Sequence, residues 1–574
     1  MLNILINTLT NDINQTFYFK LAQNNIVLQY NNFKSDIDIQ VKYLGNKASV
    51  GFKELQVTIL NEQLLNNEQM YLAGYAEGFV TCAEIDDYMD NAYAEATYQG
   101  HLFPTPELRL YVRKQLEYFQ KNIENTNSQT PFEANYWKSV GMALKWLQGV
   151  ADGYNQATNS NYMNVEELYY LNSILDYGTL VEYFDPQEAG RFRDAEQPTH
   201  CTGIVYPTED YKDLFFSHVT WSGFRAGFNR ILKTFNLKLN LSTTKQQQVQ
   251  SSSYPGLFAS QDDFYIIKNM KHDGSMSNIA VLESTFVNQN ETLNTLITES
   301  SVLSWMRSLL SCLNTGEVSD FASFYTYNNS FTYNNHYVLL DYKQFQKALS
   351  ECPSCDSPTL LQHLRSTPLL FSLEMADQAS LIFKDVTTVL YDQNFYASLN
   401  APISPSVHHF YNYSSDSKLS YNKTSRLCTI KRTLGQKSVK TFDEFKQFMR
   451  SNQFLSYPSN TCQYGDPREG IAARYDLCIF SNTYFCFDQH KNKIMGADFG
   501  ATDAKYTNLD MMNKGSYQFV YGPTLGSETK GNFPRVMFAK FGYQPKGVPH
   551  LLPMETRDVF YTITNLDCCI KDEQ

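Results

Sequence analysis

Thr199-His200-Cys201-Thr202-Gly203-Ile204-Val205-Tyr206 sets a cysteine at the head of an apolar run deep inside the chain. Across the polar stretch Pro207 to Asp213, a second apolar run, Leu214 to Trp221, carries His218 and Trp221. Apolar runs joined by turn-forming residues read as a β-hairpin, here with a thiol at its first residue. Cutting the bond between His200 and Cys201 would give that residue a free α-amine beside its thiol. A thiol needs a base or a positive neighbour to bring its pKa down from ~8.5 before it is a good nucleophile. An α-amine, with a reference pKa near ~7.7–8.0, is a suitable base at neutral pH. On spacing alone, Cys201 equally fits a buried strand cysteine or a disulfide half, and His218 and Trp221 equally fit core positions.

Upstream of the hairpin, Asp185 to Thr199 contains Pro186, Gly190 and Pro198 and reads as an exposed, cleavable loop. Trp137, Val140, Leu144, Leu147 and Ala151 recur at helical spacing and predict a helix over Asn135 to Tyr154. Further helices are predicted over Leu65 to Glu95 and Glu166 to Tyr177, with strands at Phe17 to Ala22, Ile26 to Tyr30 and Gln40 to Leu44. Downstream, Ser222 to Phe235 reads as a helix and Leu241 to Ser253 as a solvated loop. Strands are expected at Asp263 to Asn269, Asn278 to Phe286, His336 to Tyr342, Tyr475 to Phe480, Thr483 to Asp488 and Asp503 to Thr507, with a helix at Trp305 to Leu313. Hairpins interspersed with helices indicate an α+β fold, two sheets covered by helices.

The bulk properties exclude several classes. The chain has 574 residues, 40 Tyr, 39 Phe, only 18% charged residues and a net charge of −12 without a basic stripe, so a packed globular protein is expected and nucleic acid is not. No apolar stretch reaches ~18 residues, so no transmembrane segment is expected. There is no G-x-S-x-G, H-E-x-x-H or Walker glycine loop, and no metal or cofactor is expected. Cys352-Pro353-Ser354-Cys355 lacks the second pair that a zinc site needs and reads as a local disulfide or surface thiols. Eleven cysteines leave one over from five bridges, and Cys201 is the choice for it. Sequons at Asn14, Asn240, Asn290, Asn328, Asn412 and Asn422 suit a secretory glycoprotein, whereas Met1 to Asn7 makes a poor signal peptide.

The ordered motifs resemble the phospholipase B-like family, lysosomal or secreted members of the N-terminal nucleophile hydrolases. They are Asp152-Gly153-Tyr154, His200-Cys201-Thr202-Gly203, Ser217-His218-Val219-Thr220-Trp221, Ser253-Tyr254-Pro255-Gly256, Asp262-Asp263-Phe264-Tyr265, Leu282-Glu283-Ser284-Thr285, Tyr333-Asn334-Asn335, Asp341-Tyr342-Lys343 and Asp503-Ala504-Lys505. The resemblance implies a four-layer αββα sandwich and self-cleavage between His200 and Cys201. It divides the chain into an N-terminal fragment, 1–200, and a core, 201–574, with the nucleophile at its start. The implied activity is hydrolysis of acyl bonds, with phospholipid or another acylated small molecule as substrate and a homodimer as the expected assembly. In the implied roles, Cys201 attacks, its amine is the base, His218 and Trp221 line the site, Thr285 (Ser284 as alternate) positions the amine or thiol, and Asn335 (Asn334 as alternate) holds the oxyanion. Two other readings stay open: an amidase on N-acyl lipids or peptides, and a secreted lipid-binding glycoprotein that keeps the fold without turnover.

Overall fold

Side-chain alternation along single strands decides the layering. The computed structural model describes residues 14–22, 25–30, 37–45, 51–97, 103–125, 128–185, 201–260, 264–375, 381–414, 420–452, 467–477, 497–524, 545–548 and 560–564. In chain order the strands are β1 (Asn14–Ala22), β2 (Asn25–Tyr30), β3 (Ile39–Leu44), β4 (Lys53–Ile59), β5 (Thr202–Pro207), β6 (Leu214–Gly223), β7 (Ile231–Leu237), β8 (Thr244–Ser253) and β9 (Phe264–Ile267). Then come β10 (Met270–Lys271), β11 (Ile279–Thr285), β12 (Asn335–Asp341), β13 (Leu370–Met375), β14 (Leu381–Asp385), β15 (Tyr396–Ser398), β16 (Phe499–Thr507), β17 (Ser516–Tyr521) and β18 (Phe560–Thr564). The larger sheet runs β14-β13-β12-β11-β9-β8-β7-β4-β3-β1-β2, with β10 pairing on β8; the smaller runs β15-β5-β6-β16-β17-β18.

On β11, Ile279 and Val281 enter a core shared with helices Asn66–Val80 and Pro131–Thr158, while Ala280 and Leu282 enter another. That second core also takes Val205, Leu214 and Phe216 from the smaller sheet, so it lies between the sheets. Val219 and Trp221, on the other parity of β6, pack with helices Ser425–Gln436 and Phe442–Met449 in a third core. Period-2 alternation thus makes both sheets two-faced. At Gly203 the sheets approach so closely that a Cβ would lie 2.4 Å from Leu282 Cδ1.

The protein is mixed α and β, and the hairpin forms as expected: β5 pairs antiparallel with β6. The long helix of the Asp-Gly-Tyr motif runs Pro131–Thr158, opened by a Thr130 cap. Two expectations fail. Ser222 to Phe235 is the end of β6, the short helix Phe224–Gly227, and β7. Ile231 and Phe235 enter the helix-covered core and Leu232 the inter-sheet core, so the spacing taken for one helical stripe serves both faces of a strand. Leu241 to Ser253 is mostly β8, whose Gln250, Ser251 and Ser252 are buried because β7 and β9 complete its ladder. The expected strands at Tyr475 to Phe480 and Thr483 to Asp488 fall largely outside the described residues.

Four glycines bring helices Asn66–Val80 and Pro131–Thr158 into backbone contact. A Cβ on Gly149 would meet the Tyr71 carbonyl at 2.1 Å, and one on Gly74 the Trp146 carbonyl at 2.1 Å; Gly78 and Gly153 are equally tight. Backbone atoms cannot swing aside as side chains do. Gly149→Ala is therefore expected to destabilise by about 3 kcal/mol, as for core overpacking, measured by denaturant unfolding of the full chain.

Among the described residues, no helix is long and apolar enough to cross a membrane. Cys352 and Cys355 form a disulfide.

Candidate active site

Cys201 sits one residue ahead of β5, in the left-handed region at φ 71°. Such a backbone angle costs a non-glycine residue of order 1 kcal/mol or more and persists only where surroundings enforce it. The residue is a thiol rather than half of a disulfide, is 5% exposed, and lines a cavity of about 340 Å³. Residues from both sides of the His200–Cys201 bond contribute to the wall: Tyr88, Glu95 and Glu182 from before it, Trp221, Tyr254 and Phe499 from after it.

The hairpin register, Thr202 opposite Val219 and Gly203 opposite His218, aligns Cys201 with Thr220 one step further on. Thr220 and Trp221 reach the cavity wall with Cys201. His218 is fully buried and is not on that wall. Burial first, then the Lys505 and Arg230 charges, push its pKa well below the ordinary value, so it is a neutral imidazole.

Arg426 holds the nucleophile's backbone. It donates to the Cys201 carbonyl, to Thr202 Oγ1 at 3.1 Å, to the Leu399 carbonyl at 2.9 Å and to Asn400 Oδ1 at 2.8 Å. Its guanidinium also lies 4.3 Å over the Trp221 ring, and Trp221 Nε1 donates to the Ile471 carbonyl. Asn400 continues the chain, its Nδ2 donating to the Thr285 carbonyl at 2.6 Å and its backbone N–H to Ser284 Oγ. Neither Arg426 nor Asn400 was found from sequence: they lie more than 190 residues beyond the thiol and belong to no motif that points to it.

Thr285 ends β11 on the cavity wall, with a buried hydroxyl that has no hydrogen-bond partner among the described residues. Ser284 faces the other way, between the sheets, against Ser398 Oγ at 2.6 Å. Asn335 pairs with Thr285 across the ladder but is not on the wall; its Nδ2 reaches Tyr325 Oη at 3.4 Å, and its Oδ1 has no partner among the described residues. Asn334 does line the cavity, accepting from Tyr411 Oη at 2.9 Å.

A buried ionic row runs from Arg230 through Asp503 to Lys505, all fully or almost fully buried, with Arg230 Nε at 2.9 Å and Lys505 Nζ at 2.7 Å from the carboxylate. Lys505 also donates to Thr220 Oγ1. Burial works to raise the Asp503 pKa, and the Arg230 and Lys505 charges reverse it, leaving it lowered. Burial also lowers the Lys505 pKa despite the Asp503 charge.

Other carboxyls move the opposite way. Burial pushes Glu54 and Glu95 up to about 7 and Asp341 to about 6. A carboxyl that keeps its proton longer when folded makes stability fall as pH rises from the unfolded value, near ~4, to the folded one. The chain should therefore be more stable to denaturant at pH 5 than at pH 8, and Glu54→Gln should flatten that slope.

The family model for Phospholipase B matches residues 40–555. Phospholipase B-like protein G of Dictyostelium discoideum is 27% identical, covering 88% of this chain and 84% of its own. Putative phospholipase B-like 1 of Caenorhabditis elegans is 27% identical over 83% and 79%, and Phospholipase B-like 1 of Bos taurus 23% over 86% and 82%. The chain belongs to the phospholipase B family.

Proposed function

We propose that this chain is an acyl hydrolase of the N-terminal nucleophile type, cut by its own chemistry before Cys201 and then acting on lipid acyl esters through that thiol. The observation that carries the reading is a non-disulfide thiol, held in left-handed backbone geometry, on the wall of a cavity lined from both sides of the cleavage point. The helix, sheet, sheet, helix order of the cores fits the four-layer αββα sandwich of that class. Fragments 1–200 and 201–574 would stay joined after cleavage, because β4 pairs in parallel with β7 inside one sheet.

In the mature form, the Cys201 amine takes the thiol proton and the thiolate attacks the substrate carbonyl. The Thr285 hydroxyl, which lines the same cavity and has no hydrogen-bond partner among the described residues, would hold that amine. Arg426 fixes the Cys201 carbonyl, and Asn400, gripped by the same guanidinium, offers its remaining amide hydrogen to the oxyanion. Asn334, which unlike Asn400 and Asn335 is on the cavity wall, is the second candidate donor. Collapse expels the alcohol and leaves a thioester, which water hydrolyses. Losing one oxyanion donor typically costs ~10²–10³ in rate. His218 acts as neutral packing between the sheets, and Trp221 as the plane on which Arg426 stacks.

The names of the relatives supply phospholipids as the substrate class. Exposed sequon residues Asn240, Asn412 and Asn422 fit a glycosylated, lysosomal or secreted protein, and the raised carboxyls fit an acidic compartment. Asn328 fits less well, since its side-chain nitrogen is buried. Asn290 is half-buried, and the side chain of Asn14 and residue His200 lie outside the described residues.

Terminal sequencing of protein from its native source should find Cys201 as a new N-terminus. Rapid quenching with a phospholipid should trap one acyl mass on the Cys201 peptide. A mature terminus elsewhere, or a processed protein that never carries the acyl mass, would end the proposal.

A further inference from the structure

Before the chain is cut, the nitrogen of Cys201 is locked in a peptide bond and cannot act as base. The first attack therefore needs another proton acceptor; His218 Nδ1 lies 3.5 Å from the Thr220 hydroxyl, a longer contact than the one Lys505 makes to the same oxygen. Resting on the reading above, we infer that Lys505, acting through the Thr220 hydroxyl, takes the Cys201 proton in the uncut chain, and that the freed amine replaces it only afterwards.

The argument is one of strand register. β5 and β16 flank β6, and Asp503 pairs with Thr220 from one side while Cys201 is aligned with Thr220 from the other. Adjacent strands lie about 4.8 Å apart, so Cys201, Thr220 and Asp503 form a row across the smaller sheet. Lys505, two residues beyond Asp503 and on the same face, bends its Nζ back into this row, onto Asp503 Oδ1 and Thr220 Oγ1. Thr220 is the one hydroxyl of the row, it accepts from Lys505, and it shares the cavity wall with Cys201. Lys505 feels the Cys201 charge directly, alongside those of Asp503 and Arg230. The titratable groups that face the ammonium are Asp503 on its own strand, His218 on β6, Arg230 ahead of β7 and Cys201 ahead of β5. Burial has already weakened the hold of Lys505 on its proton, which a group acting as base requires.

The step balances. The reacting form is the one in which Lys505 has given up its proton to solvent: the thiol proton then passes to the Thr220 oxygen as the Thr220 proton passes to the neutral Nζ, and the thiolate sulfur bonds to the His200 carbonyl carbon. The tetrahedral anion collapses with cleavage of the C–N bond, and the leaving nitrogen takes the proton back from Lys505. A thioester of His200 on Cys201 and a free α-amine result; water then releases the His200 carboxylate and the thiol. Lys505 is a positioning residue here, because it acts through Thr220. Asp503 keeps it in place, and Arg230 keeps Asp503 ionised.

The test compares Lys505→Gln, Thr220→Val and Thr220→Ser, each as full-length chain, in three readouts. Self-cleavage of uncut chain should slow by about 10²-fold or more in Lys505→Gln and Thr220→Val, the usual size of a lost general base, and its pH midpoint should move. Thr220→Ser, which keeps the hydroxyl, should cleave within a few-fold of wild type. The processed fraction of Lys505→Gln, whose side chain is off the cavity wall, should turn over ester within about fivefold of wild type, since the amine then serves as base. Unaltered cleavage with an unchanged pH profile in Lys505→Gln would overturn the inference. So would an equal fall in cleavage and in mature turnover, the mark of a merely structural residue. Alkylation of the Cys201 peptide by iodoacetamide, followed against pH by mass spectrometry, separates this inference from the wider one. A wild-type chain that never cuts itself sinks the hydrolase reading. The alkylation midpoint still decides on Lys505: a rise of a pH unit or more in Lys505→Gln supports the coupling, and no movement refutes it.

Discussion

Cys201→Ala is expected to leave one uncut chain and to reduce acyl transfer to background, a loss on the order of 10⁴ or more. The size follows from the chemistry: one sulfur is proposed to make both the bond that cuts the chain and the bond that carries the substrate. The structural cost should be small, about 1 kcal/mol, because the deleted atom faces a cavity and not a packed core. Melting curves of the variant should therefore overlay those of uncut wild type within a few degrees. Serine is the sharper probe. A hydroxyl is far harder to ionise than a thiol, so Cys201→Ser should cut itself slowly while the alanine chain stays whole. Recovery of the same two fragments from the alanine variant would assign the cut to another protease, and the amine would then be liberated by a partner enzyme. Retention of ester turnover by the alanine variant would remove Cys201 from the chemistry altogether.

How far the sequence could be read follows the range of the interactions involved. The Cys201 hairpin was legible because two apolar runs flank a short polar turn, and its ladder needs nothing from elsewhere. The early strands and the helix Pro131–Thr158 were legible for the same local reason, the helix having its own cap and apolar stripe. β7 and β8 were not. Leu232 and Phe235 are buried against different layers, and the glutamines and serines of β8 are buried by β7 and β9, which come from either side of it in the chain. Polar composition says nothing about whether a partner strand will arrive. Within the site, the thiol and Thr285 lie in motifs with fixed spacing, whereas a single step of strand parity separates Asn334 on the wall from Asn335 behind it. Lys505 was quoted within a motif but given no role, since only the β5-β6-β16 order brings it to Thr220.

Arg426 is the residue for which sequence offered least and geometry offers most. It is the second residue of helix Ser425–Gln436, behind a Thr424 cap that fixes the direction in which the helix starts. From there it spans four acceptors on two separate stretches of chain, Cys201-Thr202 and Leu399-Asn400, and lies flat on Trp221. Only a planar fork can meet that set; an ammonium is a point charge with no plane to stack. Arg426→Met would strand several buried oxygens, each costing about 1–3 kcal/mol, and should fold poorly. Arg426→Lys is the decisive variant. It keeps the charge and much of the volume, so the chain should fold, yet it cannot hold the Cys201 carbonyl and Asn400 together. A reacting group displaced by about 1 Å can lose 10²-fold in rate, and both self-cleavage and mature turnover should fall by about that factor. Because the group acts on position and not on ionisation, the pH midpoint of Cys201 alkylation should stay where it is, in contrast to the shift expected for Lys505→Gln. The Trp221 fluorescence should change with the loss of the stacked guanidinium, which reports the broken contact independently of activity. Wild-type rates in Arg426→Lys, with altered fluorescence, would show that the left-handed turn at Cys201 is enforced by the strands alone and that the guanidinium is packing.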